Sequence, residues 1–186
     1  MPPIPPSRRD LLRAGSALVG AAALGACGGG GSGPEPSSRA SASPAGGTVH
    51  LLDAALVVEH TTLYAYARGM SLFGSATGPL ATAFRQHHLD HRDRLRTLIT
   101  GLGGIPTPAR DSYDIGAPPA DENGVLSLVA TLEEEAARAH YAALRQISDP
   151  AVLQQLGSIM ADEAQHSAAL RTVLQQDPAP AAFVSA

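Results

Sequence analysis

The chain has no lysine, a single cysteine and no long apolar run after residue 26. All 13 of its basic residues are arginine, which indicates compositional bias rather than a function. Because these arginines form no basic patch with interleaved aromatic residues, the sequence argues against nucleic-acid binding. With Cys27 alone no internal disulfide can form, and a structural role for this thiol is not expected. The net charge of −4 identifies no partner.

The N-terminal region predicts export. The paired arginines Arg8 and Arg9 precede two leucines and a stretch rich in alanine, glycine and leucine that runs from residue 14 to residue 26. This pattern resembles a twin-arginine export signal. The Leu-Gly-Ala-Cys sequence that follows resembles a bacterial lipobox, in which Cys27 is lipidated and becomes the new N-terminus. Two alternatives stay open: cleavage without lipidation, and an uncleaved membrane anchor, although the stretch is short for a bilayer span.

Composition divides the chain into four parts. The signal and lipobox occupy residues 1–27. Residues 28–47 are rich in Gly, Ser, Pro and Ala and cannot bury enough apolar surface to offset chain entropy, so we predict a flexible tether. Residues 48–176 have the length of one folded domain, and residues 177–186 are predicted to be a disordered tail.

This organisation predicts where the protein resides. A lipid on Cys27 places it as a lipoprotein on the outer face of the cytoplasmic membrane, with that lipid as its membrane contact. Without lipidation, the expected location is extracellular or periplasmic. A homodimer is an open alternative, and no specific protein partner is predicted.

Apolar residues recur at three- and four-residue spacing in four segments, which predicts four amphipathic α-helices. The helices span about residues 49–72, 80–102, 123–147 and 150–174. Gly103 is suited to end the second helix. Asp149 can cap the fourth helix, and Pro150 can occupy its first turn.

The lengths of the connections predict the topology. Short links join the first helix to the second and the third to the fourth, so each pair forms an antiparallel hairpin. The proline-rich link between the second and third helices is long enough to run the full length of a bundle. The predicted fold is therefore all-α: a four-helix bundle of two antiparallel hairpins with one long crossover.

Two of these helices carry acidic residues on their apolar faces. Glu59 lies between Leu56 and Leu63 on the first helix, and Glu163 lies on the fourth helix with His166 one turn later. Burying an ionised carboxylate costs several kcal/mol unless it is paired or ligated. Residues three apart on a helix point the same way, so Glu163 and His166 can ligate one ion together.

The third helix offers three consecutive glutamates, of which only one can point fully inward. Glu133 is surrounded on the helical wheel by apolar residues, whereas an inward Glu135 would bring Arg138 inward with it. We therefore predict that Glu133 faces the core, with Glu135 as the second candidate. The alternative is that all three glutamates form a solvated face.

The second helix carries three histidines within five positions. His88 and His91, three apart, can face the core together, and His87 with His91 forms another chelating pair. Four other residues are expected to play lesser parts. His60 and His50 are predicted to lie on the surface, Tyr66 in the core, and His140 in the core as a packed histidine or a neighbour of the ligands.

These motifs resemble those of the ferritin-like superfamily. The segment around Glu59, the Leu132-Glu133 pair, the Glu163-x-x-His166 motif and the long middle link carry the resemblance, together with a twin-arginine signal as in exported bacterial ferritin-like proteins. The resemblance implies a metal pair in the bundle. The implied ligands are Glu59, His88, His91, Glu133, Glu163 and His166. In this superfamily the second helix usually supplies Glu-x-x-His, and here His88 replaces the glutamate.

The resemblance implies divalent metal as the cofactor, with iron expected from the family. Three imidazoles among six ligands shift the metal preference of the implied site toward zinc, copper or a single iron. Manganese is a further alternative. We weigh two functions: a redox protein for O₂, peroxide or Fe²⁺ oxidation, and a non-catalytic exported bundle without metal. A cage-forming iron store ranks last because a tethered, lipid-anchored chain does not suit a closed shell.

Overall fold

The computed structural model describes residues 44–180, which form four long α-helices and one short 3₁₀-helix. The helices are α1 (Pro44–Gly69), α2 (Gly78–Gly101), α3 (Glu122–Leu144) and α4 (Pro150–Val173), and the 3₁₀-helix Met70–Leu72 follows α1 directly. The prediction of an all-α four-helix bundle is confirmed. Within the described region, no helix combines the length and the apolarity needed to cross a membrane.

The helices begin where local chemistry favours them. The carboxylate of Asp121 accepts a hydrogen bond of 2.8 Å from the Gly124 amide at the start of α3, and Asp149 does the same for Ala151 at the start of α4. Such caps satisfy amides that have no partner within the helix. Helix α1 begins at Pro44, so residues 44–47, which we expected in the tether, are helical. Proline suits a first turn because its fixed φ is already helical.

The crossover between α2 and α3 carries the chain back to the opposite end of the bundle, as the link lengths predict. Residues 102–121 leave α2 beside the start of α1, where Gly104 closely approaches Val49. They arrive at the other end of α1, where Gly69 lies so close to Val125 of α3 that no Cβ could be added without displacing the valine side chain. Helices α1 and α3 are therefore antiparallel, and the crossover runs the length of the bundle.

The crossover packs along the outer side of α1. Asp53 accepts a hydrogen bond of 2.7 Å from the Thr107 amide. Further along, the ring of Tyr113 lies 5.8 Å from that of Tyr64 and 6.4 Å from that of His60, between ring centroids. This covering explains why His60, predicted to lie on the surface, is instead buried with 5% exposure.

The apolar core consists of two separate clusters. One gathers residues near the start of α1 and of α4 and the end of α2 and α3, including Leu52, Leu95 and Leu156. The other gathers residues at the opposite end, including Phe84 and Val129. Burial of each such side chain contributes about 1.5–3 kcal/mol. Between the two clusters lies a layer of buried histidine and glutamate side chains.

Candidate metal centre

The polar layer draws side chains from all four helices. On each helix, the inward face that carries the apolar residues of the two clusters continues between them. Side chains on that face at the level of the polar layer therefore point toward one another. The fully buried members of the layer, each with at most 1% exposure, are Glu59, His88, Glu133, His140, Glu163 and His166. His91 joins them with 11% of its side chain exposed.

Glu59 of α1 is held by two histidines. Its Oε2 atom lies 2.9 Å from Nδ1 of His88, and its Oε1 atom lies 3.1 Å from Nε2 of His140. Burial by itself raises the pKa of the Glu59 carboxyl, but the hydrogen bonds of His140 and His88 outweigh burial and lower this pKa to about 2. Glu59 is therefore an ionised carboxylate at neutral pH.

Glu133 of α3 is the most heavily bonded of the acids. Its Oε1 atom accepts hydrogen bonds from the Tyr66 hydroxyl at 2.6 Å and from His88 Nε2 at 3.1 Å, and its Oε2 atom lies 3.3 Å from His166 Nδ1. Burial raises the pKa of Glu133, but the charge of His88 and the bond from His166 hold it well below its ordinary value. This carboxylate is also ionised.

Glu163 of α4 differs from the other two acids. Its Oε1 atom lies 2.9 Å from His91 Nδ1. Its buried Oε2 atom accepts no hydrogen bond within the described part of the chain, although it lies 3.4 Å from His166 Nδ1. Burial raises the pKa of Glu163 above its ordinary value, against the lowering effect of His166 and His91. Burial therefore makes ionisation of Glu163 less favourable than that of Glu59 or Glu133.

The histidines of the layer respond to these acids. Burial lowers the pKa of His88, His91 and His166, but the neighbouring carboxylates outweigh burial at all three. Glu133 raises the pKa of His88 well above its ordinary value, and Glu163 and Glu59 raise that of His91. The hydrogen bonds of Glu133 and Glu163 raise the pKa of His166 to about 9. Without metal, protons on these imidazoles balance the acids.

The layer contains two overlapping groups of potential metal ligands. One is made of Glu59, His88, His91 and Glu163, and the other of His88, Glu133, Glu163 and His166. Within each group, one ligand atom per residue lies within 4.8 Å of all the others. Glu163 and His88 belong to both groups, and a carboxylate shared between two ligand sets is the arrangement of a dinuclear centre in a helical bundle.

The chemistry of the donors fits divalent metal ions. Within residues 44–180 no arginine bonds to the three buried carboxylates, so only protons or a metal ion can balance their charge. Mixed carboxylate and imidazole donors are the ligands that iron, zinc and manganese accept. Glu163, whose buried Oε2 accepts no hydrogen bond in the described region, belongs to both groups. The cluster is therefore consistent with a dinuclear metal site.

The structure brings together all six residues predicted to form the site: Glu59, His88, His91, Glu133, Glu163 and His166. Among the three consecutive glutamates, Glu133 is buried, Glu134 is half-buried and pairs with Arg138 and Arg171, and Glu135 is exposed. On α2, His87 lies at the edge of the layer with 45% of its side chain exposed.

Three further residues take part: His140 and Tyr66, which the sequence predicted to lie in the core, and Asp162, for which it made no prediction. His140 bonds Glu59, Tyr66 bonds Glu133, and Asp162 places an oxygen 3.2 Å from His91 Nε2. His140 lies seven residues after Glu133, a spacing that keeps it on the same face of α3 and that supported its expected place in the core. Nothing in the sequence distinguishes Asp162 from an ordinary surface acid.

The predicted lipidation residue Cys27 and the signal residues Arg8 and Arg9 lie outside the described residues, as does the end of the predicted tail. Their roles stay predictions.

Comparison with solved structures shows the same fold in three bacterial proteins. A conserved hypothetical protein of Mycobacterium tuberculosis aligns with a TM-score of 0.69 and 21% identity over 76% of this chain and 99% of its own. A ferritin-like diiron-carboxylate protein of Bacillus anthracis aligns with a TM-score of 0.61 and 19% identity over 70% and 97%.

The bacterioferritin of Rhodobacter capsulatus, described with a metal-free dinuclear site and a haem iron, aligns with a TM-score of 0.58 and 23% identity over 69% of this chain and 83% of its own. No curated protein matches the sequence. The profile of the ferritin-like domain matches residues 47–176, which is more than half of the chain. Since this stretch contains α2, α3, α4, all but the first three residues of α1 and every residue of the buried cluster, the chain belongs to the ferritin-like domain family.

Proposed function

We propose that the protein is an exported, lipid-anchored metal-binding protein whose buried cluster holds two metal ions and supports redox chemistry with O₂, peroxide or Fe²⁺. The observation that carries this proposal is the convergence of Glu59, Glu133 and Glu163 at one level of the bundle without a balancing arginine in the described region. Such an arrangement costs free energy unless the acids bind protons or cations.

Each residue of the cluster has a distinct part in this proposal. Glu59 would hold an ion in one ligand group and Glu133 an ion in the other, and Glu163 belongs to both groups. His91 and His166 present Nδ1 to the same acids. Bound iron supplies electron transfer to oxygen species, while the chain orients the ligands and excludes bulk water.

The assignment of the metal rests on the family and on the donor set. Iron is the expected metal, since ferritin-like relatives include a diiron-carboxylate protein and a bacterioferritin with a dinuclear site. His88 stands where many bundles of this kind place a fourth carboxylate. Fewer anionic ligands favour divalent over trivalent ions and make zinc, copper and manganese competitors.

Metal content tests the proposal directly. We expect the full chain, purified after expression with its export signal, to contain stoichiometric metal by elemental analysis. A His88→Ala, His91→Ala double variant is expected to lose at least one ion per chain, because His88 belongs to both ligand groups. A His50→Ala variant, which changes an exposed histidine of α1, is the control. Protein without stoichiometric metal under iron, zinc and manganese supplementation would refute metal binding.

The alternative is a non-catalytic exported bundle without metal. It is favoured by one observation: every oxygen of Glu59 and Glu133 already contacts a histidine or tyrosine donor. Hydrogen bonds alone could then stabilise the layer. This alternative predicts that added Fe²⁺ or Zn²⁺ leaves the melting temperature unchanged, whereas the metal-binding function predicts a rise that grows with the logarithm of the ratio of metal concentration to Kd.

Export and lipidation are the remaining parts of the proposal. They are supported by the Arg8-Arg9 pair, the apolar stretch and Cys27. We expect diacylglycerol on Cys27 in the mature protein by mass spectrometry and its loss in a Cys27→Ser variant. A change of Arg8-Arg9 to Ala-Ala is expected to leave the precursor unexported, and export that continues in this variant would contradict the twin-arginine route.

A further inference from the structure

A third group of potential metal ligands lies at the outer edge of the polar layer. His87 of α2 and Asp162 of α4 line a cleft of about 520 Å³ between these helices. Their side chains are 45% and 31% exposed, respectively. The buried His166 reaches the same point from the core side with its Nε2 atom. We call His87, Asp162 and His166 the outer triad.

The three potential ligand atoms of the outer triad form a nearly equilateral triangle. His87 Nδ1 lies 2.9 Å from His166 Nε2 and 3.2 Å from Asp162 Oδ2, and the third side, from His166 Nε2 to Asp162 Oδ2, measures 3.4 Å. Ligand atoms of a tetrahedral ion with bonds of about 2.0–2.1 Å are separated by roughly 3.3 Å. An ion can therefore sit on this triangle with its fourth position open to the cleft.

His166 faces the outer triad and the core at the same time. Its Nδ1 atom lies 3.3 Å from Glu133 Oε2 and 3.4 Å from Glu163 Oε2, while Nε2 faces outward. A neutral imidazole ligates a metal through one nitrogen while its other N–H donates to a carboxylate. The ring is stacked on Phe84 at 4.0 Å between centroids, which limits its rotation. Nδ1 of His166 is therefore placed near the core carboxylates, and Nε2 is placed in the outer triad.

We propose that the outer triad binds one divalent transition-metal ion at the mouth of the cleft and delivers it to the core. The binding site stands on its own geometry, whereas its part in delivery rests on the proposed core metal centre. A neutral His166 has one lone pair, so it cannot ligate an outer ion through Nε2 and a core ion through Nδ1 at once. An ion that moves inward therefore releases the outer site.

Asp162 is suited to both stages of this exchange. Its Oδ2 atom lies within 3.4 Å of His87 Nδ1, His91 Nε2 and His166 Nε2. With an ion in the outer triad, the carboxylate is a ligand. Once His91 and His166 ligate core ions through Nδ1, the Asp162 carboxylate accepts hydrogen bonds from their Nε2–H groups, as carboxylates beside metal-bound histidines do.

Cobalt binding separates the outer site from the core. The untagged full-length protein is titrated with Co²⁺, whose visible absorption is strong only in tetrahedral geometry. A Glu59→Gln, Glu133→Gln variant weakens the core but keeps the outer triad, and we expect it to bind one tetrahedral Co²⁺ per chain. Adding His87→Ala or Asp162→Asn is expected to abolish that band. His50→Ala, an exposed histidine outside both sites, is expected to leave it unchanged.

In the otherwise unaltered protein, His87→Ala is expected to slow the loading of core ions by about tenfold or more without changing the final core occupancy. Because His87 is half-exposed, this variant should fold normally, which circular dichroism checks. If the core variant binds no Co²⁺ while the parent does, the outer site is overturned and the core stands. If His87→Ala abolishes all binding by the parent, the outer site stands and the core fails. Absence of binding in every protein overturns both.

Discussion

Tyr66 of α1 donates a hydrogen bond of 2.6 Å to Glu133 of α3 across the centre of the bundle. Both residues are fully buried. Burial raises the pKa of the Tyr66 hydroxyl well above its ordinary value, and the neighbouring Glu133 charge raises it further. The phenol therefore stays protonated and remains a donor, which fixes the carboxylate against rotation and ties two non-consecutive helices together.

Replacement of Tyr66 by phenylalanine tests this bond. The substitution keeps the ring and leaves a buried carboxylate oxygen with one donor fewer. We expect the free energy of unfolding of the metal-free protein to fall by about 1–3 kcal/mol, as measured by urea denaturation. Tyr64→Phe is the matched control, since Tyr64 also lies on α1 but packs against Tyr113 in the crossover. Equal effects of the two substitutions would contradict a special role for the bond.

Glu163→Gln is expected to separate stability from metal binding. Burial disfavours the charged form of Glu163 and raises its pKa, so a neutral glutamine of nearly the same shape should not destabilise the metal-free protein. We predict unchanged or higher stability without metal, together with loss of at least one bound ion. Thermal melting with and without Zn²⁺ measures both. Glu135→Gln, on the exposed face of α3, should alter neither, and metal retained by Glu163→Gln would remove this residue from the site.

His88→Glu restores the carboxylate that many metal-binding bundles have at this position. In the metal-free protein it replaces a proton-bearing imidazole by a fourth acid beside Glu59 and Glu133, and we expect a loss of about 3–5 kcal/mol. Metal should reverse this loss, so the rise in melting temperature on adding anaerobic Fe²⁺ should exceed that of the parent. Ala83→Glu, an exposed change on the same helix, controls for the added charge. A smaller rise than in the parent would argue against ions at His88.

The pH dependence of the metal-free protein follows from two opposite pKa shifts. The pKa of His166 is raised to about 9, so its stabilisation is complete below about 6.5 and is lost as the pH rises through 9. The pKa of Glu59 is lowered to about 2, so its stabilisation is present above about 4.5 and is lost as the pH falls through 2. Maximal stability is therefore expected between about pH 4.5 and 6.5.

Metal should change the alkaline side of this profile. Ligation requires deprotonated imidazoles, so the stabilisation by bound metal grows with pH where the metal-free protein weakens. We expect the melting temperatures of the two forms to diverge between about pH 6.5 and 9. Melting curves recorded by circular dichroism across this range, with and without Zn²⁺, provide the measurement. Parallel curves would show that the histidines titrate without metal.

Helical periodicity makes the bundle and the inward residues predictable. A glutamate such as Glu59, flanked by leucines at helical spacing, must point where the leucines point, so its burial can be read from one segment. The same rule separates Glu133 from Glu134 and Glu135. The long link between α2 and α3 also encodes its topology, since short connections impose antiparallel neighbours.

Other features depend on the packing of distant segments. The burial of His60 arises from the crossover, which lies tens of residues away in the sequence and covers a face of α1 that looks solvated. The bond of His140 to Glu59 and the approach of Asp162 to His91 depend on how separate helices pack against one another, which single-helix patterns do not specify.

The division of the apolar core by a polar layer affects how the domain comes apart. Each hairpin contributes to both apolar clusters, so neither end of the bundle has a self-contained core that could survive alone. The plane between the clusters is also where proton or ion occupancy sets the charge balance. Loss of metal from the proposed centre would therefore destabilise the middle of the domain and both ends together. Proteolysis of the metal-depleted protein should then cleave whole unfolded domains and leave no protected half of the bundle.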